Sequence, residues 1–261
     1  MSVTTVPPPP PMIARRSALL QLTLVELKLL VRERGRLVIG IGLPVVLLII
    51  FGSIPAFKTP RATYGGLSLF DEYIPVLITF TLALLALSFV PVILAGYREK
   101  GILRRLQTTP AGPVRVLVAQ LGASVVLAVI RVVVVVVVAR LGYHVPLARQ
   151  FGGFVIYVLL TILALLAVGL FIAAVAPNGR IALAIGISVL YLLMFFAGLW
   201  LPIPSMPSVL QHISHATPLG AAVTALQDTA DGRWPPVRQL LTLIAYTVGF
   251  GLVAARLFRW G

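Results

Sequence analysis

Six apolar stretches set the terms for this chain: Leu37–Phe57, Ile74–Ala95, Val114–Leu141, Phe154–Ala176, Ile181–Leu201 and Val237–Leu257. At ~1.5 Å of rise per residue, each gives a helix of about 30 Å or more, the thickness of a bilayer's hydrocarbon core. Lipid offers backbone N–H and C=O groups no partners, so spanning segments are helices or closed barrels. The run Val132–Val138 has strand propensity, but inside so long an apolar segment a helix is expected. Composition points the same way. Of 261 residues, 59% are hydrophobic and 11% charged, against roughly 25% charged in a soluble domain, and a soluble fold cannot bury that much apolar surface. The expected fold is an all-α membrane protein with six transmembrane helices. Its expected layout is a Pro-rich tail over 1–16, an amphipathic interface helix over 17–36 and a six-span domain over 37–261.

Charge gives the orientation. With the N-terminus inside, fourteen basic residues face the inner side: Arg15, Arg16, Lys28, Arg32, Arg34, Arg36, Arg98, Lys100, Arg104, Arg105, Arg115, Arg180, Arg256 and Arg259. Six face outward: Lys58, Arg61, Arg140, Arg149, Arg233 and Arg238. The excess of inner Lys and Arg predicts both termini in the cytoplasm. The net charge of +14 is accounted for by anionic headgroups, with no need of nucleic acid. The N-terminal MSVTTVPPPPPM lacks the basic-then-apolar layout of a cleavable signal peptide and is expected to be a solvated polyproline tail.

Three segments outside the spans have character of their own. In Ser17–Arg34, Leu20, Leu24, Leu27 and Val31 form one apolar stripe at helical spacing, with Gln21, Lys28 and Arg32 on another side. This suits a helix lying in the membrane interface. Arg98–Pro110, REKGILRRLQTTP, reads as a two-turn helix parallel to the membrane, and its apolar side needs lipid or another protein to cover it. The loop Leu201–Pro236 carries Pro202, Pro204, Pro207 and Pro218. Within it, Ser208–Ile213 is expected to form a short helix dipping back into the outer leaflet.

Catalytic chemistry is sparse. No G-x-x-x-x-G-K-[ST] occurs, so the chain has no P-loop of its own, and neither H-E-x-x-H nor G-x-S-x-G is present. Cysteine is absent, which excludes disulfides and thiolate chemistry. His212 and His215, spaced i, i+3, lack a nearby carboxylate and read as a polar helix face rather than a metal site. All seven acids, Glu26, Glu33, Asp71, Glu72, Glu99, Asp228 and Asp231, fall outside the expected spans, which disfavours an ion-coupled carrier.

Arg131 stands alone inside a span, where a charge costs about 2.5–3.5 kcal/mol. Gln120 and Ser124 lie eleven and seven residues earlier, which at ~100° per residue puts them within about 20° of the Arg131 direction. Three polar groups therefore share one face, expected to turn inward. Either that face lines a translocation path, or Arg131 is a structural residue satisfied by carbonyls or headgroups. Phe195, Phe196 and Trp200, at the end of the fifth stretch, would contact a hydrophobic substrate at an exit or form an interfacial aromatic belt.

Three stretches resemble the membrane subunit of type 2 ATP-binding-cassette (ABC) exporters, a group that includes bacterial drug, antibiotic and polysaccharide export permeases. ELKLLVRERGRLVIGIGLPVVLLIIFG looks like the family's interface helix entering its first span. REKGILRRLQTTPAGPVRVLVAQ is similar to its first cytoplasmic loop, with the pattern R-E-x-G-x-L-x-x-L-x-x-T-P. YLLMFFAGLWLPIPSMPSVLQHISHATPLGAAVTALQD resembles its Pro-punctuated outer hairpin, departing from the pattern at Ala221.

The resemblance implies a permease subunit for a hydrophobic or amphipathic drug, lipid or glycan in a bacterial plasma membrane. It implies a dimer of permeases, identical copies favoured over unlike ones, and a re-entrant hairpin between spans five and six. Two separate cytoplasmic ATPase subunits would carry ATP and Mg, this chain being non-catalytic and binding no cofactor. By carry-over, Arg98–Pro110 is the coupling helix, with Leu103 and Leu106 entering an ATPase groove and Glu99, Arg104 and Arg105 fixing its orientation. Glu26, Lys28, Arg32 and Glu33 of the interface helix make a second ATPase contact or sit on a plain membrane anchor. Multidrug efflux and antibiotic resistance follow as expectations. The competing classes are a secondary carrier, an assembly factor without an ATPase and a membrane-embedded enzyme.

Overall fold

The computed structural model describes residues 38–59, 68–102, 112–146 and 148–257, together with Thr23, Leu24, Lys28, Gly35 and Arg105. Among them it is helical throughout, without a strand. The helices are α1 (Val38–Ser53), α2 (Pro55–Lys58), α3 (Leu69–Glu99), α4 (Gly112–Tyr143), α5 (Phe151–Val175), α6 (Gly179–Phe196), α7 (Ser208–Ala216), α8 (Pro218–Ala230) and α9 (Val237–Leu257). Five of these, α3, α4, α5, α6 and α9, are long and apolar enough to cross a membrane, and α1 is a shorter apolar helix. The Val132–Val138 run lies inside α4, as its apolar context demanded.

Local chemistry moves several boundaries from those expected. The first stretch does not run on to Phe57. Ile54 is extended (φ −88°, ψ 115°) ahead of Pro55, because the proline ring disfavours helical geometry at the preceding residue. The second helix begins at Leu69 rather than Ile74. Ser68 accepts from the Asp71 N–H and the Asp71 carboxylate accepts from the Ser68 N–H, both at 3.2 Å, a reciprocal capping box. Asp71 and Glu72 therefore belong to the first turn of a long apolar helix, a correction to the view that every acid lies outside such helices.

The far end of α3 corrects the reading of Arg98–Pro110 as one short helix. Arg98 and Glu99 close α3, and the chain turns at Gly101 (φ +66°), whose N–H reaches the Arg98 carbonyl at 3.0 Å. Glycine takes this left-handed position without steric penalty, and helices commonly end there. Ile102 and Arg105 are helical beyond the turn. The fifth stretch stops at Phe196, not Leu201, for the same reason: Gly198 sits at φ +88°.

The largest departure is α8. The loop after the fifth stretch holds a 3-10 turn, Ile203–Ser205, and then two α-helices, not one. Thr217 separates them, accepting the Gly220 N–H on its hydroxyl at 3.1 Å and preceding Pro218 at the first helical position. Helix α8 is deeply set, with Leu219, Ala221, Ala222, Val223 and Ala225 fully buried against α3, α5 and α9. Ala221, where the chain departs from the pattern of the family it resembles, is among the fully buried residues.

Helix α3 is the axis of the bundle. Its most apolar window is 78% buried, against 11% for α9. Helices α4, α6 and α9 turn Val118, Leu192, Leu241 and Leu252 outward, the apolar exterior of a protein whose solvent on that side is lipid.

Candidate functional site

The centre of α3 is not regular. Between Ala83 and Val90 it widens into a π-helical turn, Leu84–Phe89. Pro91 supplies the reason: it has no N–H, so it cannot bond Leu87 in α register or Ala86 in π register. Those two carbonyls are met by glycines. A Cβ on Gly186 of α6 would overlap the Leu87 oxygen, and one on Gly169 of α5 would overlap the Ala86 oxygen. Only glycine lets two backbones approach so closely, the small-residue packing that membrane helices use. Three long helices are locked together at one widened turn, and such turns cluster at functional sites.

Arg131 meets the same turn. It is 1% exposed. Its guanidinium lies over the ring of Phe89, the last residue of the π turn, 5.4 Å from the centroid, and Gly40 of α1 closes the other side. A Cβ on Gly40 would come within 2.5–2.7 Å of the guanidinium atoms. Neither Nε nor Nη1 has a hydrogen-bond partner.

Gln120 and Ser124 share that inward face of α4, both fully buried. Ser124 donates to the Gln120 carbonyl at 2.8 Å, while the Gln120 side-chain amide is left without a partner on either atom. Thr81 and Ser88 of α3 also bury unpartnered hydroxyls. Buried polar groups are normally paired. On the inward face of α4 the unpaired Gln120 amide and Arg131 guanidinium, with Ser124 between them, make a polar seam inside an apolar bundle.

The other expected site residues lie elsewhere. Phe195 and Phe196 end α6 as an edge-to-face pair at 5.3 Å, Phe195 being 38% exposed, and Trp200 packs near Tyr191. They do not join the Arg131 seam. Glu99 is engaged within the chain, its carboxylate accepting the Gly179 N–H at 3.2 Å at the start of α6. Beside it, Arg98 donates to the carbonyls of Ala174 (3.1 Å) and Ala176 at the end of α5. Adjacent opposite charges thus grip the two helices flanking the Ala176–Asn178 turn, each at the end its sign suits. Lys28 and Arg105 are helical and exposed. Glu26, Arg32, Glu33, Leu103, Arg104 and Leu106 lie outside the described residues. His212 places Nδ1 on the Ser208 carbonyl at 2.7 Å, and His215 faces the Thr224 hydroxyl at 3.3 Å.

Gly40, Phe89, Gly169 and Gly186 escaped the sequence reading. Pro91 was the available signal, since a proline in the middle of an apolar helix exposes carbonyls that a neighbour must cover.

A model of the ABC-2 type transporter family matches residues 17–230, most of the chain. The chain belongs to that family. It is a multi-pass membrane component, the permease, of an ABC transporter. No curated protein matches it.

Proposed function

We propose that the permease forms the translocation path of an ATP-driven exporter for hydrophobic or amphipathic cargo, whether drug, lipid or glycan. The carrying observation is a family match over most of the chain, whose 261 residues hold no P-loop; an ATPase supplied as a separate subunit fits both. The arrangement has two such cytoplasmic subunits, a second permease copy, and both termini on the cytoplasmic side of a bacterial plasma membrane.

The grip of Arg98 and Glu99 supports a mechanical route. The segment after Gly101 is where an ATPase would dock, and a push on it is delivered through Arg98 to α5 and through Glu99 to α6. The polar seam at Arg131 lies at the turn where both helices meet α3. Glu99 then works as a positioning residue inside the permease, while Leu103, Arg104, Arg105 and Leu106 make the outward contact. The seam of Gln120, Ser124 and Arg131 forms the path, and Phe195 and Phe196 stand at its exit or at the dimer seam.

Purifying the tagged permease from its host in mild detergent tests this. An ATPase at equal molar amount, with ATP hydrolysis in the eluate, is expected. A chain that purifies without a nucleotide-binding subunit, under conditions that preserve membrane complexes, overturns the reading.

A further inference from the structure

At the end of the bundle opposite Arg98, two spaces lie on either side of one side-chain pair. The outer is a cavity of about 520 Å³ between the start of α3, the end of α4, the start of α5 and the end of α8. Its volume lies within the roughly 300–1,000 Å³ of small-molecule sites. The lining sets three acids against three arginines, so what it offers cargo is the apolar wall of Ile74, Ile78, Phe154 and Leu226. The inner space is about 10 Å³, room for one water at most. It lies at the end of α6, against Val76, Ala197, Gly198, Ile203 and Val223.

The two linings have Glu72 and Gln227 in common. Along α3, Tyr73 and Val76 line the inner space, while Ile74, Pro75 and Ile78 line the cavity. At ~100° per residue these are opposite sides of the helix, and Glu72 stands at their boundary. The Gln227 amide of α8 reaches across to it. It donates to the Glu72 carboxylate and, at 3.4 Å, to the Glu72 carbonyl. A bond to an ionised carboxylate is strong for a side chain, yet this one breaks without unfolding either helix. The end of α8 has a separate tie: the Gln150 N–H, at the start of α5, donates to the Thr229 carbonyl at 3.0 Å.

We propose that Glu72 and Gln227 are the outer gate of the translocation path. The pair parts to let cargo move from the end of α6, where Phe195 and Phe196 stand, into the cavity, and it closes behind. What passes rests on the export reading; that the pair separates the two spaces does not.

The chain has no cysteine, so Val223→Cys puts a single thiol in the inner space, at a fully buried position. A membrane-impermeant methanethiosulfonate cation, added from outside to the permease in vesicles, reports opening as a labelling rate. Gln227→Ala removes the bond and speeds this labelling about ten-fold or more, whereas Glu72→Gln, which keeps an acceptor for the amide, stays within about three-fold. Two controls separate a gate from a general loosening of the fold. Ala148→Cys, in the cavity, labels fast in every background, and Ala83→Cys, buried midway along α3, labels in none. With the ATPase present, ATP turnover speeds labelling of Val223→Cys in the otherwise unaltered chain. A rate indifferent to Gln227→Ala, a rate indifferent to ATP turnover, or Val223→Cys labelled as fast as Ala148→Cys overturns the gate. If no ATPase accompanies the permease, the export reading falls, and the Gln227→Ala comparison still decides the gate.

Discussion

Replacing Arg131 with Met separates a transport role from a structural one. Arg131 is buried with two nitrogens unpartnered, and a cation at such depth costs about 2.5–3.5 kcal/mol. The Phe89 ring returns up to about 2 kcal/mol. Roughly 0.5–1.5 kcal/mol remains unrecovered. Met is similar in length, flexible enough to fill the space and free of that cost. Arg131→Met should therefore raise the melting temperature by about 1–6 °C, at roughly 2–4 °C per kcal/mol for a chain of this size. Export measured in vesicles should fall although the protein is more stable and ATPase assembly is unchanged. Gly40 supplies the internal control. Gly40→Ala drives a methyl into the guanidinium and should destabilise the wild type, yet be tolerated in the Arg131→Met background. A lower melting temperature with normal export would make Arg131 a structural cation and sink the argument.

The π turn makes a sharper demand on glycine than on charge. Gly186→Ala puts a methyl against the Leu87 carbonyl and should cost about 1–3 kcal/mol by overpacking; the same change at Gly249, with open space around it, should leave thermal stability within about 1 °C. Glu99→Ala should lose only about 0.3–1 kcal/mol of helix-end stabilisation, but should leave ATP hydrolysis running while export drops; equal falls in both rates would place Glu99 at the ATPase contact instead. The charge of His215 is disfavoured first by burial, then by Arg238 and His212 and opposed by Asp228, so its pKa lies below the ordinary value. The unfolded chain then binds more protons, and stability is full above about pH 6.5 and declines as pH falls through and below that value. Burial raises the Asp228 pKa, which gives back stability only nearer pH 4. Melting temperatures between pH 7.5 and 5.5 should fall for the wild type and less for His215→Asn; parallel curves would show that His215 is not the group responsible.

Apolar length and sparse charge were enough to place five of the six expected spans, the first stretch forming a shorter apolar helix, because lipid imposes one rule on every residue of a segment. Turn chemistry placed their ends less well. Gly101, Gly198, Ser68 and Pro55 were all visible, but each acts on two or three residues, a scale that hydropathy averages away. Helix α8 was missed because much of its buried face is Gly220, Ala221, Ala222 and Ala225, small residues whose burial comes from how closely neighbours approach rather than from their own apolarity.

The spacing of Gln120, Ser124 and Arg131 put all three on one helical face, and a face that polar in an apolar helix had to turn inward. What that face would meet was beyond the sequence. Phe89 lies 42 positions before Arg131, and Gly40 further still; only the packing of α1 and α3 against α4 brings them to the guanidinium. Periodicity is a property of one helix, legible within it. The close approach of Gly169 and Gly186 to the carbonyls that Pro91 leaves bare depends on three helices at once, and that is decided by tertiary structure alone.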